Sequence, residues 1–499
     1  MSESACRVRL AGDAESSELP FRILALVDAG AALETPYGER RPRPYHADLP
    51  GACGAGVEID TLCDGLPARG WLSLRDAAGW SDAAIITALP ALAALEQALR
   101  ARRAETDAVA TALLARRLDQ ALAQVRALPA VRRLEGVWRS LALVAAHAGE
   151  GVELAVLSAT RSEIEQDLDE AASPAGSALH RLLVDAEFGQ HGGRPWGLVL
   201  SDLRCDGSPR SVALLRRCAA VCARAGAPLL SEADPRLLGL SEWAGLSGMS
   251  DPAAALAGPD RSAWRSWRSQ SDARHAVVAG PPPLLRAALT PGDRPLAGLA
   301  GAVVAARIAA SMSATGWPSA AAGAGPLPGP AIPAGPALDD CELSPPCPCL
   351  IDEEQARALA ACGILPLRAT RRAPGWDLPQ LPTVYAAGDE LQRQLPLVLL
   401  ADRLAHHLRV EARERLGDHL DPGGLERGLA DWLGARTADG AVADPVVRAR
   451  RPLLGATVRV EAVPGRPGWA RVAVRVRPHL AGAATAIELR LDELLAAVA

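Results

Sequence analysis

The chain has 499 residues, with 53 basic side chains against 58 acidic ones and a formal net charge of -5. That length accommodates two or three domains with a large core, and so small a charge offers no bulk attraction to nucleic acid or an anionic membrane. Every basic residue is Arg and there is no Lys, which excludes Walker A phosphate loops and pyridoxal-phosphate Schiff bases. Asn is also missing, and the richness in Ala, Arg, Gly and Pro reads as genome bias. No uncharged apolar run reaches the ~18 residues of a membrane span. The best, Leu296 to Met312, contains Arg307, and no secretory n-region opens the chain. A soluble, cytoplasmic protein without membrane insertion is expected. The ten Cys are scattered. Cys218 and Cys222 fill a helix face, and Cys347-Pro-Cys349 lacks the second pair that a zinc site needs.

Residues 1–17 read as a loose polar arm. Leu19 to Asp28 reads as a strand with Phe21, Ile23, Leu24, Leu26 and Val27 as its apolar content, closed by an Asp-Ala-Gly turn signal. Residues 31–56 read as a surface loop. Ser81 or Asp82 caps a helix in which Ile85, Leu89, Leu92, Leu95 and Leu99 recur at helical spacing. Residues 106–147 continue as helix, through Leu118, Leu122 and Val125 to Leu134-Glu-Gly-Val-Trp138-Arg-Ser-Leu141. Trp138 is read as a core anchor.

Val152 to Leu157 is a buried-type strand followed by an acidic helix from Ser162 to Asp169. Next comes Phe188-Gly189-Gln-His-Gly192-Gly193-Arg-Pro195-Trp196-Gly197-Leu-Val-Leu-Ser-Asp202. The glycines free the turn, Pro195 fixes the entry, and Trp196 to Leu200 is too continuously apolar to be half exposed. A helix from Ala213 to Ala225 and a strand from Ala227 to Leu230 follow. This alternation predicts an α/β fold with a mainly parallel sheet flanked by helices.

An Ala-rich helix spans Leu299 to Met312, and residues 318–349 read as a Pro/Ala/Gly loop. Asp352 is the expected N-cap of the next helix, which ends at Gly363. Leu395 to Leu416 is helical. Its neighbours His406 and His407 lie about 100° apart on the helix, so they read as packed or solvated rather than metal-binding. At the end, residues 457–463 and 469–476 form a hairpin, with Ile487 to Leu491 as a third strand. Val458, Val460, Val472, Val474 and Val476 lie on one face, and Arg459, Glu461, Arg471 and Arg475 on the other. This predicts a C-terminal α+β domain with a half-buried antiparallel sheet.

The segment from Phe188 to Asp202 resembles the signature of the large subunit of the type VI secretion contractile sheath, the TssC (VipB) family. So do Leu134 to Leu141 and the closing run of Pro464-Gly465 through Gly468 with Arg477-Pro478-His479. Residues 280–295 depart from that family's pattern. The Leu-Pro-Phe strand, the turn near Asp76 and the Leu-rich helix resemble the small subunit, TssB (VipA). The resulting division is 1–105 small-subunit-like, 106–317 large-subunit core, 318–349 loop and 350–499 C-terminal sheath domain.

The resemblance implies a structural protomer that assembles with copies of itself around an inner tube (Hcp), meets a baseplate and contracts to drive effector delivery. Strand exchange would use Phe21, Ile23, Leu24, Leu26 and Val27 together with Ile487, Leu489 and Leu491. A separate small subunit is a further candidate partner. Engagement of the recycling ATPase (ClpV) is expected to be weak or absent, because little sequence separates Arg103 from Leu118. No catalytic residue, cofactor or metal is expected. The competing readings are a sheath relative acting as adaptor or assembly regulator, and a hydrolase. His191-Gly192-Gly193 is similar to an esterase oxyanion turn, but no Gly-x-Ser-x-Gly elbow accompanies it.

Overall fold

The computed structural model describes residues 19–496 apart from 32–34, 106, 189–191, 250, 290–292, 322–326, 330–331, 334–342, 345, 371–374, 389, 417–421, 439–443, 463–468 and 480–486. Gly189, Pro464 and Gly465 therefore lie outside the described residues.

The chain opens with β1 (Phe21–Val27) and a short β2 (Arg43–Pro44), then a hairpin of β3 (Gly56–Cys63) and β4 (Leu66–Ser73). The hairpin is absent from the sequence reading above. Its turn is Asp64-Gly65, both residues at positive φ (51° and 72°), the backbone a two-residue hairpin loop requires. Next come α1 (Asp82–Ala88), capped by the Ser81 hydroxyl, and α2 (Pro90–Ala104). The single helix expected here is broken and bent by 114°. Pro90 cannot donate to the ladder and its ring would collide with the preceding turn. Pro129 likewise divides the expected helix of residues 106–147 into α3 (Ala108–Ala127) and α4 (Pro129–His147).

The α/β alternation continues with β5 (Val152–Ser158), α5 (Arg161–Glu170), β6 (Trp196–Cys205), α6 (Pro209–Ala225) and β7 (Leu229–Ala233). Gly226 closes α6 at φ 62°, the left-handed cap that glycine adopts without strain. Then follow α7 (Ser262–Arg268), β8 (Ala276–Gly280), the paired short strands β9 (Leu284–Arg286) and β10 (Leu296–Ala297), and the buried α8 (Ala300–Thr315). After α9 (Glu353–Ala361), capped by Asp352, comes β11 (Ile364–Pro366).

The central sheet has the order β11-β8-β7-β6-β1-β5-β2, parallel except where β2 meets β5. Strand alternation splits β1 between two cores. Ile23, Ala25 and Val27 face α4 and α8, whereas Leu24 and Leu26 face α5, α6 and the Trp264–Trp267 pair of α7. The hairpin packs Ile59, Cys63, Ala68 and Leu72 into the first of these cores.

The residues expected to take part in strand exchange, Phe21, Ile23, Leu24, Leu26 and Val27, all lie on this strand. β1 is bonded to β5 on one edge and β6 on the other, and all five side chains are buried. A strand with both edges occupied inside its own chain has no ladder to offer a neighbour. The division at residue 105 is also crossed, because β1 lies between two strands of the following segment.

The C-terminal part comprises α10 (Leu395–Leu416), α11 (Pro422–Gly434), β12 (Leu453–Ala462), β13 (Trp469–Pro478) and β14 (Ile487–Ala496). The strands form an antiparallel sheet of order β12-β13-β14, with Val458 opposite Val474 and Val460 opposite Val472. Val460, Val472, Val474 and Val476 are buried, Val458 partly so, against Leu400, Leu404, Leu408, Leu429 and Trp432.

Candidate assembly elements

The glycine-rich signature is a clamp on the first strand. Gly192 has φ 80°, and a Cβ on Gly193 would lie 2.2 Å from the Glu187 carbonyl oxygen. The turn can therefore fold back onto Glu187 only with glycine there. The Glu187 carboxylate accepts from the Arg194 backbone N–H at 2.8 Å and from Arg22 Nη1 at 2.9 Å. Arg22, carried by β1, lies 3.7 Å above the Trp196 ring and also donates to the Arg194 carbonyl. A guanidinium stacked on a buried indole and held by a carboxylate is a well-determined joint.

Gly197 is the second half of the clamp. A Cβ there would stand 2.3 Å from Phe21 Cε2, so the Phe21 ring occupies the space a side chain on β6 would need. Pro195 sets the approach to that contact. Phe188 reaches the other way: its ring centroid is 5.7 Å from that of His406, and Arg409 lies 4.9 Å above it.

α10 thus joins several distant segments. Arg403 Nη2 donates to the Leu19 carbonyl at 3.0 Å, and His406 Nε2 lies 2.8 Å from the Ala225 carbonyl. A carbonyl only accepts, so Nε2 carries the proton. Burial pushes the His406 pKa down to about 4, and His407, packed between Trp317 and Trp432, is lowered by the same cause. Both are neutral packing groups.

Asp28, just past the end of β1, and Asp202, in the second half of β6, face Arg133 of α4. Arg133 Nη2 is 2.9 Å from Asp28, and the Asp202 carboxylate accepts from the Asp28 N–H at 3.2 Å. Burial raises the Asp202 pKa to about 6, working against the Asp28 N–H and Arg133. One strand further, Glu232 is buried and accepts from Ala300 N and Gly301 N, at 2.7 and 2.9 Å, at the start of α8. Burial outweighs those two bonds and raises its pKa to about 7. Trp138 is fully buried and its indole N–H donates to the Ala29 carbonyl at 3.2 Å.

A cleft of about 870 Å3 opens beside Glu232, between Arg204, Arg294, Trp243 and Cys347. Its described lining contains no His, and burial raises the thiol pKa values of Cys347 and Cys349, the latter to about 11. That leaves thiols rather than nucleophilic thiolates. Among the described residues no group of three or more His, Cys, Asp or Glu is arranged to hold a metal ion, and no single helix is long and apolar enough to cross a membrane.

The edges of the C-terminal sheet differ. On β12, Val460 N–H donates to the Glu426 carboxylate at 2.8 Å and Leu453 bridges Thr437, so that edge is partly closed. β14, which carries Ile487, Leu489 and Leu491, pairs with β13 on one edge, and among the described residues no strand lies on the other. Arg477 stands opposite Gly455, Pro478 opposite Leu453, and His479 is tied to the Pro452 and Ala438 carbonyls at 2.7 and 3.0 Å. Arg477 and Pro478 thus pair with the start of β12, and His479 ties that end of the sheet to the segment that follows α11.

Residues 109–300 match the family model described as EvpB/VC_A0108, tail sheath N-terminal domain, and residues 385–495 match its tail sheath gpW/gp25-like domain. The type VI secretion system sheath protein TssC1 of Pseudomonas aeruginosa is 28% identical over 401 residues, spanning 72% of this chain and 80% of that protein. The chain belongs to the type VI sheath large-subunit family. It is a structural subunit of a contractile sheath.

Among solved structures, the anti-feeding prophage baseplate is similar across 99% of both chains, at 13% identity and a TM-score of 0.41. A sheath tail protein of Desulfitobacterium hafniense covers 59% of this chain and 56% of its own, at 9% identity and a TM-score of 0.32. The ion cluster of this sheath subunit escaped sequence reasoning. Arg286 Nε donates to Glu135 at 2.9 Å, and Arg286 and Arg132 both reach Asp293, at 3.2 and 3.3 Å. It ties the divergent 280–295 segment to α4, and residues so far apart in the chain give no spacing signal.

Proposed function

We propose that the subunit stacks with copies of itself around an inner tube (Hcp) in the cytoplasm, from a baseplate outward, and that contraction drives effector delivery. The observation that carries this is the pairing of the two tail-sheath matches with a C-terminal sheet in which, among the described residues, β14 has a strand partner on one edge alone. An open edge pairs readily with a strand from another chain, and a heterologous contact repeated by rotation and translation builds a helical tube. Residues 350–499 are the sheath domain in this reading, and Ile487, Leu489 and Leu491 sit on the exchanging strand. The clamp around Phe188 to Gly197 keeps each core rigid while inter-subunit contacts change.

The recycling ATPase (ClpV) engages this sheath weakly in the same reading. α2 ends at Ala104 and α3 begins at Ala108, which leaves no length for an outer domain between them. Negative-stain electron microscopy of the chain expressed alone tests the proposal. Tubes are the expected result. Monodisperse particles, both alone and beside the other sheath components, would overturn it in favour of an adaptor.

A further inference from the structure

An interior strand of the sheet, paired on both edges, comes from outside the segment matched by the N-terminal sheath domain. That match begins at residue 109 and contains β5, β6, β7 and β8, whereas the strand between β5 and β6 is formed by residues 21–27. Taking β1 away would leave a gap of roughly 10 Å between two buried strands, each with an unpaired inner edge. The fit is continuous. The register runs from Phe21 opposite Val152 to Val27 opposite Ser158, and Ile23, Leu24, Leu26 and Val27 have no exposed surface. Further contacts hold the segment in place: Phe21 on Gly197, Arg22 on Glu187 and Trp196, Asp28 with Arg133, and the Ala29 carbonyl with Trp138. By contrast, the chain leaves this module through an exposed connection, with Glu105 and Asp107 both at the surface.

We infer that residues 19–104 are a built-in small-subunit module that completes the sheet in cis, so that a separate small sheath subunit has no place between β5 and β6. The inference rests on the sheath reading for the identity of the excluded partner, but not for the completion of the sheet. The peptide link at 105–107 contributes little to cohesion, because pairing on both edges and two apolar faces hold β1.

The test uses the full chain with a site-specific protease sequence inserted between Glu105 and Asp107, compared with the uncut insertion protein. After cleavage both fragments are expected to co-elute at the uncut protein's volume in equal amounts, and to separate only in denaturant. Separation under native conditions would overturn the inference. As a second measurement, a tagged small sheath subunit is co-expressed with the unmodified chain. The expected recovery of the chain on the tag is below a tenth of stoichiometric, and one-to-one recovery would overturn the exclusion. Tube formation bears on the sheath reading alone, so the two can fail separately.

Discussion

Replacing Gly197 with Ala probes the joint between the first strand and the signature. The added methyl would lie 2.3 Å from Phe21 Cε2 and 2.6 Å from Cδ2. The ring is only 3% exposed, so it cannot swing into solvent to make room. Gly197 is inside a strand and is not at positive φ, so backbone strain is not the cause and overpacking is. Overpacking of this kind costs ~1–3 kcal/mol. In a domain of 150–250 residues, ~2 kcal/mol corresponds to a fall in Tm of about 4–8 °C. Removing the ring with Phe21→Ala costs ~3–5 kcal/mol alone, by cavity formation. In that background, however, the methyl of Gly197→Ala enters space the ring has vacated and should cost almost nothing. Thermal unfolding of the four proteins in a double-mutant cycle measures the coupling, expected at ~1–2 kcal/mol. Additive effects, or a Gly197→Ala protein as stable as the parent, would refute the contact.

Glu232 gives a pH signature. Its folded pKa is raised to about 7 by burial, above the ordinary carboxylate value, so the folded state holds its proton more tightly than the unfolded chain. The sign follows: the contribution is fully present below about pH 4.5 and is lost as pH rises through about 7. Stability of the parent relative to Glu232→Gln should fall between pH 5 and pH 8, measured as the Tm difference, and a flat difference would count against this assignment. Glu135→Gln takes from the buried Arg286 one of its two carboxylate partners, Asp293 remaining, and should destabilise by ~1.5–3 kcal/mol, read in denaturant melts. Trp138→Phe keeps most of the buried ring but strands the Ala29 carbonyl. A loss of ~1–3 kcal/mol is expected in the same assay, less than for Trp138→Ala. Leu489→Pro removes a ladder donor from β14 and should abolish tubes under the electron microscope while the main thermal transition persists.

Local patterns in the sequence located most strands and helices because their signals are local. Trp196 to Leu200 is apolar without interruption because both its faces are covered. The valines of β12 and β13 alternate because one face of that sheet packs on α10 and α11. The β3–β4 hairpin was less visible despite its Asp64-Gly65 turn, since Gly56, Ala68 and Gly70 replace the β-branched residues that usually mark strands. Pro90 and Pro129 were in plain view, but the leucine repeat runs straight through the first of them and masks the break. The place of β1 in the sheet order could not be read at all. A parallel strand states that it is buried on both faces, not which two strands flank it. Phe21 beside Gly197 is the one trace of the answer, a large ring and a missing side chain whose complementarity emerges only once the strands are adjacent.

That complementarity bears on how a sheath subunit divides its labour. Contraction requires two packings of the same protomer, so inter-subunit contacts must exchange while each protomer keeps one shape. In this chain the parallel sheet has its interior strand β1 locked by Arg22, Phe21 and Asp28, and α10 ties that strand to the signature and to α6. A sheet bonded in this way moves as a body. The antiparallel sheet beyond α10 has the opposite character, with β12 partly closed and β14 paired, among the described residues, with a strand on a single edge. Rigidity and availability therefore occupy separate parts of the chain. The strand first expected to exchange, β1, is the one whose exchange would dismantle the core.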